Sequence, residues 1–343
     1  MKRRDMMKRT ALGAASLGMA GCASMQPQKA GDIPIDPIPT SRNMTYRELG
    51  DTGIKVSFLG FGSHLSKENL KDGKRRDRQI QEGIENGITL FDVYDHANYN
   101  QFEPMSKSLA GKRKSAVISL VAVEKDVRRE IEVALRTFNT DYIDLYRIVY
   151  RDPASEQYNK GDDDLNIMFR MKEEGKIRAV GVVSHSEDGL LHAVKHTSVD
   201  YIMMPMNFHH NKAWWIDMSD TYSSVIPLCR EKKVGILSIK PLAGDPMVAY
   251  AQHLGLLSGG YRGPSYPKAA LRYMWQNEDV TSVLPSINTV GQLWDALDTM
   301  WKPDFTEEDR KVLRSLSGKA DNTFGAYLPP HYKWMDNWRI KTV

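Results

Sequence analysis

The chain has 343 residues, 41% of them apolar and 9% aromatic, enough for one large α/β domain or two ordinary ones with a sizeable core. Its formal charge of +4 resides in residues 1–22, which hold five of the 47 Lys and Arg and one of the 43 Asp and Glu. The remainder is neutral and offers no electrostatic footprint for nucleic acid.

Taken in order, Met1 to Arg9 is basic, Thr10 to Ala20 is small and apolar, and Gly21-Cys22 precedes polar, Pro-rich sequence. This three-part pattern predicts an export signal over 1–22. Arg3-Arg4 followed by Met6-Met7-Lys8 resembles a twin-arginine signal. Met19-Ala20-Gly21-Cys22 resembles a lipobox, in which Cys22 becomes the lipidated first residue; an ordinary secretory signal with an incidental cysteine is the alternative. The expected location is the periplasm or a membrane face, with the membrane met through the lipid on Cys22. Residues 23–43, rich in Pro, Gly, Ser and Gln, suit an extended tether. A domain is expected over 44–343. The other cysteine, Cys229, sits in an apolar helical pattern, so a disulfide scaffold is excluded and a buried thiol expected.

Residues 46–49 and 54–57 flank Gly50-Asp51-Thr52-Gly53, a hairpin signal. Strands are predicted over 56–60, 89–92, 116–121, 143–149, 177–183, 201–204, 235–239 and 281–284. Helices are predicted over 78–85, 104–109, 127–138, 165–174, 187–195, 222–232, 268–276 and 291–300. Eight strands alternating with eight helices predict an α/β fold, a (β/α)8 TIM barrel. A doubly wound sheet is the alternative, but no Gly-x-Gly-x-x-Gly follows a strand. Residues 302–343 add a helix over 307–316 and a tail with Phe324, Tyr327, Tyr332, Trp334 and Trp338, expected to pack across one mouth of the barrel.

Barrel chemistry sits at the C-terminal ends of the strands. The stretch 87–100 reads as a buried strand opening into Asp92, Asp95, His96, Asn98 and Tyr99. His64, His96, His185, His209 and His210 also follow strand ends and are expected to share that face, though no spacing matches a metal site. Trp214-Trp215 is either a stacking surface for a sugar or ring, or a loop anchor. Arg147 has inward parity on its strand; a buried charge needs a partner, and Asp92 is the expected one.

The segment 46–63, YRELGDTGIKVSFLGFGS, resembles the opening of an aldo-keto reductase. Four more blocks resemble the family in order: GITLFD at 87–92, DYIDLY at 141–146, GKIRAVGV at 175–182 and KPLAG at 240–244. Over 44–316 the resemblance implies a (β/α)8 barrel behind an N-terminal hairpin. It implies NADP or NAD lying across the C-terminal face, a small-molecule substrate, and carbonyl reduction by an Asp, Tyr, Lys and His tetrad in which Tyr donates the proton.

Carried over by position, the resemblance gives Asp92, Tyr99 and His96 as catalytic candidates, with Asp95 and Arg147 as alternatives. Ala97 stands where the Tyr belongs, so Tyr99 requires a small insertion; the Lys and His positions hold Val121 and Val149. Lys125 is a remote substitute, four residues past the Lys position. The implied cofactor residues are Gly60, Gly62 and Ser63 in the first loop, Ser184 and His185, Asn207, and Lys240, Pro241, Leu242 and Gly244. Ser286 and Gln292 stand where basic residues often clasp the 2′-phosphate, and Met206 stands where an aromatic would stack on nicotinamide. Residues 326–330 lack the Cys that some members use for an iron–sulfur cluster, so no cluster and no metal is expected. Losing a positioned acid–base partner costs about 10²–10⁴-fold in rate. The expectation is therefore an NAD(P)-linked oxidoreductase of atypical or weak activity; the alternative is an inactive cell-surface barrel that binds a small molecule, a sugar among the candidates.

Overall fold

Two three-residue strands, β1 (Tyr46–Glu48) and β2 (Lys55–Ser57), pair antiparallel in the register Tyr46↔Ser57, Arg47↔Val56 and Glu48↔Lys55. The turn between them needs positive φ at Gly50 and Gly53, which residues without a Cβ adopt freely. The computed structural model describes residues 43–62, 73–94, 102–122, 126–150, 158–211, 219–257 and 265–317. The expected export signal with Cys22, the tether up to residue 42, and the aromatic tail lie outside them. So do Ser63, His64, Asp95, His96, Tyr99, Lys125, Trp214 and Trp215.

Eight parallel strands follow: β3 (Phe61–Gly62), β4 (Leu90–Tyr94), β5 (Val117–Ala122), β6 (Ile143–Val149), β7 (Ile177–Val183), β8 (Tyr201–Pro205), β9 (Gly235–Ile239) and β10 (Ser282–Leu284). They neighbour one another in chain order, and the bridges Leu59↔Val283 and Gly62↔Ser286 join first to last, closing the barrel. The backbones approach closely there, since a Cβ on Gly62 would lie 2.6 Å from the Pro285 carbonyl oxygen. The strand predicted over 56–60 is divided between hairpin and barrel. Ser57 causes the division: its hydroxyl donates to the Leu59 carbonyl (2.7 Å) and its backbone N–H donates to Thr89 Oγ1 (2.9 Å), turning the chain toward the barrel.

Alternation sorts the strand residues into two layers. Leu90, Val117, Val121, Leu145, Ala179, Val183, Met203, Leu237 and Leu284 fill the barrel, and the hairpin adds Leu49, Ile54 and Val56 to the same cluster. Phe91, Ile118, Leu120, Ile148, Val180 and Ile202 face outward into the core shared with the helices. Arg47 anchors the hairpin: its guanidinium donates to the carbonyls of Asn277 (2.7 Å), Trp275 (3.0 Å) and Val280, and lies over the rings of Phe58 and Trp275. Outside the barrel, the fully buried Asp144 is held by Arg113 (2.8 Å), Arg178 (2.7 Å) and the Ile118 N–H (2.9 Å).

The helices among the described residues are α1 (Gly73–Glu85), α2 (Phe102–Leu109), α3 (Val127–Phe138), α4 (Tyr158–Glu173), α5 (Glu187–His196), α6 (Val225–Lys232), α7 (Asp245–His253), α8 (Tyr266–Trp275), α9 (Val290–Trp301) and α10 (Glu307–Ser317). Helix α3 matches its predicted bounds because both ends are signalled: Asp126 accepts from the Arg129 N–H, and Asn139 takes the left-handed C-cap conformation. Helix α7 was not predicted. Gly244 caps it without a side-chain bond, and its apolar residues Met247, Tyr250 and Ala251 serve a satellite cluster with Phe208, Tyr266 and Leu316.

Two alanine substitutions separate the seam from the helices. Gly62→Ala is expected to lower stability in urea denaturation by about 1–3 kcal/mol, the range for overpacking against fixed structure. Gly83→Ala, whose Cβ meets only ordinary contacts with Ile88 in α1, is expected to raise it by about 0.5–1 kcal/mol. Equal effects at the two positions would contradict the tight seam.

Candidate functional site

The interior charge is set by strand register. Asp92 on β4 pairs with Ser119 on β5, and Val121, two residues on, pairs with Arg147 on β6. All three polar side chains have inward parity, and Asp92 and Arg147 are almost wholly buried. The Arg147 guanidinium grips the carboxylate with both ends of its fork: Nη1 lies 2.7 Å from Oδ1 and Nη2 donates to Oδ2 at 3.1 Å. Ser119 closes the triangle, donating to Asp92 Oδ1 (2.8 Å) and accepting from Arg147 Nη1 (2.8 Å). Nη1 also lies 3.3 Å from the Leu120 carbonyl oxygen. The pairing expected of Arg147 is thus present, with an unforeseen serine in it. Desolvating two charges is expensive, and bidentate geometry with further hydrogen bonds is what makes it tolerable.

The next strands shape the other side of this layer. Arg147 pairs with Gly181 on β7, and Gly181 pairs with Tyr201 on β8. A Cβ on Gly181 would lie 2.5 Å from the Tyr201 ring, so glycine is what admits that ring beside the guanidinium. The Tyr201 hydroxyl finds no hydrogen-bond partner of good geometry among the described residues, although the guanidinium's charge reaches it. Burial pushes its phenol above the ordinary range, and Arg147 opposes that push.

Toward the mouth the barrel turns apolar. Val121 is fully buried at the end of β5, while Val149, at the end of β6, is 48% exposed and presents bare hydrocarbon to the opening. Polar groups reappear at the ends of β7 and β9. Lys240, which follows β9, directs Nζ to within 2.8 Å of Nε2 of His185, which follows β7. Lys240 holds a left-handed backbone conformation (φ +52°), uncommon for a residue with a long side chain. By surface area His185 is exposed. Desolvation, with the charge of Lys240 second, holds its imidazole well below the ordinary range. An ammonium can only donate, so in this contact Nε2 is the acceptor.

The remaining candidates have visible structural work. Asn207 ties the turn after β8 together: its Oδ1 accepts from the His209 N–H (2.9 Å), and its Nδ2 donates to the Lys240 carbonyl (3.3 Å). Ser184 Oγ accepts from the Ser186 N–H (3.0 Å) ahead of α5. Gln292 completes the capping box of α9 with Thr289. Ser286 is exposed at the barrel seam beside Gly62. Leu242 accepts the Tyr266 hydroxyl at its carbonyl (2.6 Å), Pro241 is buried, and Gly244 (φ +84°) caps α7. Gly60 lies where a Cβ would meet Leu284 at 2.4 Å. Among the described residues, no three His, Cys, Asp or Glu side chains are grouped to hold a metal. Cys229 is buried in α6, which pushes its thiol up to about 12.

Sequence reasoning missed Ser119, Gly181 and Tyr201. Ser119 carried a signal, as the polar inward residue of an otherwise apolar strand; Tyr201 and Gly181 are joined only by register.

Comparison with known proteins agrees with this fold. The Aldo/keto reductase family model matches residues 63–256. The chain is 24% identical over 303 residues to an L-galactose dehydrogenase of Arabidopsis thaliana, covering 79% of this chain and 92% of that protein. It is 25% identical over 213 residues to the aldo-keto reductase YhdN of Bacillus subtilis, covering 57% and 61%. Among solved structures, the holo form of an aldo-keto reductase from Bacillus halodurans superposes with a TM-score of 0.64 at 21% identity, covering 81% of this chain and 98% of that one.

Removing one partner of the buried pair leaves the other uncompensated. Arg147→Met is expected to cost about 3–5 kcal/mol in urea denaturation. Adding Asp92→Leu to it is expected to recover part of that loss, with a coupling of about 0.5–3 kcal/mol in the double-mutant cycle. Additive losses would show that the two charges do not interact.

Proposed function

The chain belongs to the aldo/keto reductase family, and from that premise we propose that it is an NAD(P)-linked oxidoreductase of small carbonyl compounds and alcohols, with atypical and weak activity. The observation that carries the proposal is the arrangement at the end of β4. Asp92 is kept, but both its oxygens are engaged by Arg147 and Ser119, and the strands beside it end in Val121 and Val149. A carboxylate so engaged is a structural anion, not a free base. The two valines move no protons. With the family's Lys and His both absent, a loss of at least about 10²–10⁴-fold against a complete tetrad follows.

When bound, a nicotinamide dinucleotide supplies the hydride. The donor set at the strand ends fits such a group. Lys240 brings a positive charge, and α7 opens on Gly244 without a side-chain cap, presenting amide donors suited to phosphate oxygens. The exposed face of Val149 is apolar surface for a flat ring. Ser63, Ser184, His185, Asn207, Pro241, Leu242, Ser286 and Gln292 complete the proposed cradle around Gly60 and Gly62, and it takes NADP or NAD. Tyr99 and His96 are the proposed acid–base candidates in the loop after β4, with Asp95 as the alternative.

Export belongs to the same proposal. A twin-arginine signal carries a folded barrel with its cofactor inside, and lipidated Cys22 holds it at the membrane. Cys22→Ala protein is expected in the soluble fraction, and a variant that stays with the membrane would count against the anchor.

The test of the function is cofactor binding by the purified full chain. NADPH or NADH at 100-fold its Kd is expected to stabilise the fold by about 2.7 kcal/mol, read as a rise in Tm. No shift with either nucleotide at millimolar concentration, and no nicotinamide in the mass spectrum of the denatured protein, would sink the proposal.

A further inference from the structure

We propose that Lys240 is the proton donor to the substrate oxygen in this barrel, with His185 as the residue that positions it. The inference rests on the oxidoreductase reading and places the acid on Lys240 in place of the Tyr99 and His96 candidates. With Val121 and Val149 in place of the Lys and His, the usual relay is absent, and among the described residues an acid–base contact joins two strand ends: Lys240 Nζ to His185 Nε2 at 2.8 Å.

Register puts that contact beside the vacated position. Val149 pairs with Val183 on β7, and His185 stands two residues beyond Val183, so its ring rises one strand over from the missing histidine. Pro205 on β8 pairs with Ile239 on β9, so Lys240 stands one residue beyond the next strand and the pair arches over the end of β8. Three other strand ends carry no acid–base side chain. Strand β5 ends in Val121 and Ala122, β8 in Pro205 followed by Met206, and β10 in Leu284 followed by Pro285. After β6, Tyr150 turns its hydroxyl to Asp162 of α4 (2.6 Å). After β8, Asn207 reaches the Lys240 carbonyl and His209 packs on Phe208. Asp92, the nearest interior carboxylate in the strand layer below, is committed to Arg147.

The step needs one further reactant, a reduced nicotinamide dinucleotide, which would give up the hydride and be left oxidised. A hydride adds to the carbonyl carbon and the C=O π pair moves to oxygen. That oxygen takes one of the three ammonium protons of Lys240, giving the alcohol and a neutral amine. The amine regains a proton from solvent, and His185, accepting from the restored ammonium, returns it to its place. A depressed neighbouring imidazole suits this, since a neutral ring accepts from the ammonium instead of repelling it.

The test pairs two substitutions with two readouts. In the cofactor-free protein, Lys240→Met removes a cation from His185, so the His185 titration followed by NMR should move upward; an unmoved titration overturns the contact. In turnover with NADPH and a panel of aldehydes, Lys240→Met should lose about 10²-fold or more in kcat. Lys240→Arg keeps the charge but cannot release a proton at working pH, so it should hold NADPH within about threefold and still fail to restore kcat. Full activity in Lys240→Arg would make Lys240 a charge for phosphate and overturn the proton-donor role while the oxidoreductase reading stands. A wild-type protein that binds no nicotinamide and turns over no aldehyde would overturn both.

Discussion

A buried arginine gripping a buried aspartate is the constraint around which the interior of this barrel is arranged. Neither Arg147 nor Asp92 reaches solvent, and each without the other is a charge in an apolar tube. The bidentate bond and the Ser119 hydroxyl join three consecutive strands at one level. The same guanidinium fixes what the following strands carry there: no side chain at Gly181, and the Tyr201 ring laid in the space that glycine leaves. Packing, register and charge satisfaction are one solution here.

That solution bears on chemistry. In the family this chain resembles, the cation that answers the aspartate comes from the third strand and also sharpens the acidity of a tyrosine. Here it comes from the fourth, two residues below the strand end, and faces a serine. The aspartate is satisfied without any group reaching the substrate, so the mouth above is free to become hydrocarbon at Val121 and Val149. Polar character persists at the ends of β7 and β9, in His185 and Lys240.

Much of the fold was legible because local signals and period agree. The hairpin announced itself through Gly50-Asp51-Thr52-Gly53, α3 through its helical pattern, and the strands through runs of Val, Ile and Leu. Inward parity placed Arg147 in the barrel, and the cost of an unpaired charge named Asp92. Where legibility failed, long-range contacts decide. The division of 56–60 depends on Ser57 bonding Thr89, 32 residues away. Helix α7 has no capping side chain and packs on a cluster assembled from two other helices and the turn after β8. Tyr201 meets Arg147 only because Gly181 stands between them in register. Gln292 was read for its position in the family pattern, and its visible work is to cap α9.

Transfer of hydride itself tests the account most directly. With nicotinamide deuterated at C4 and a panel of aldehydes, the account predicts slow transfer of a single deuterium to the carbinol carbon of the product, above the rate without protein. Unlabelled aldehyde recovered quantitatively, from protein shown to be folded and saturated with cofactor, would contradict it.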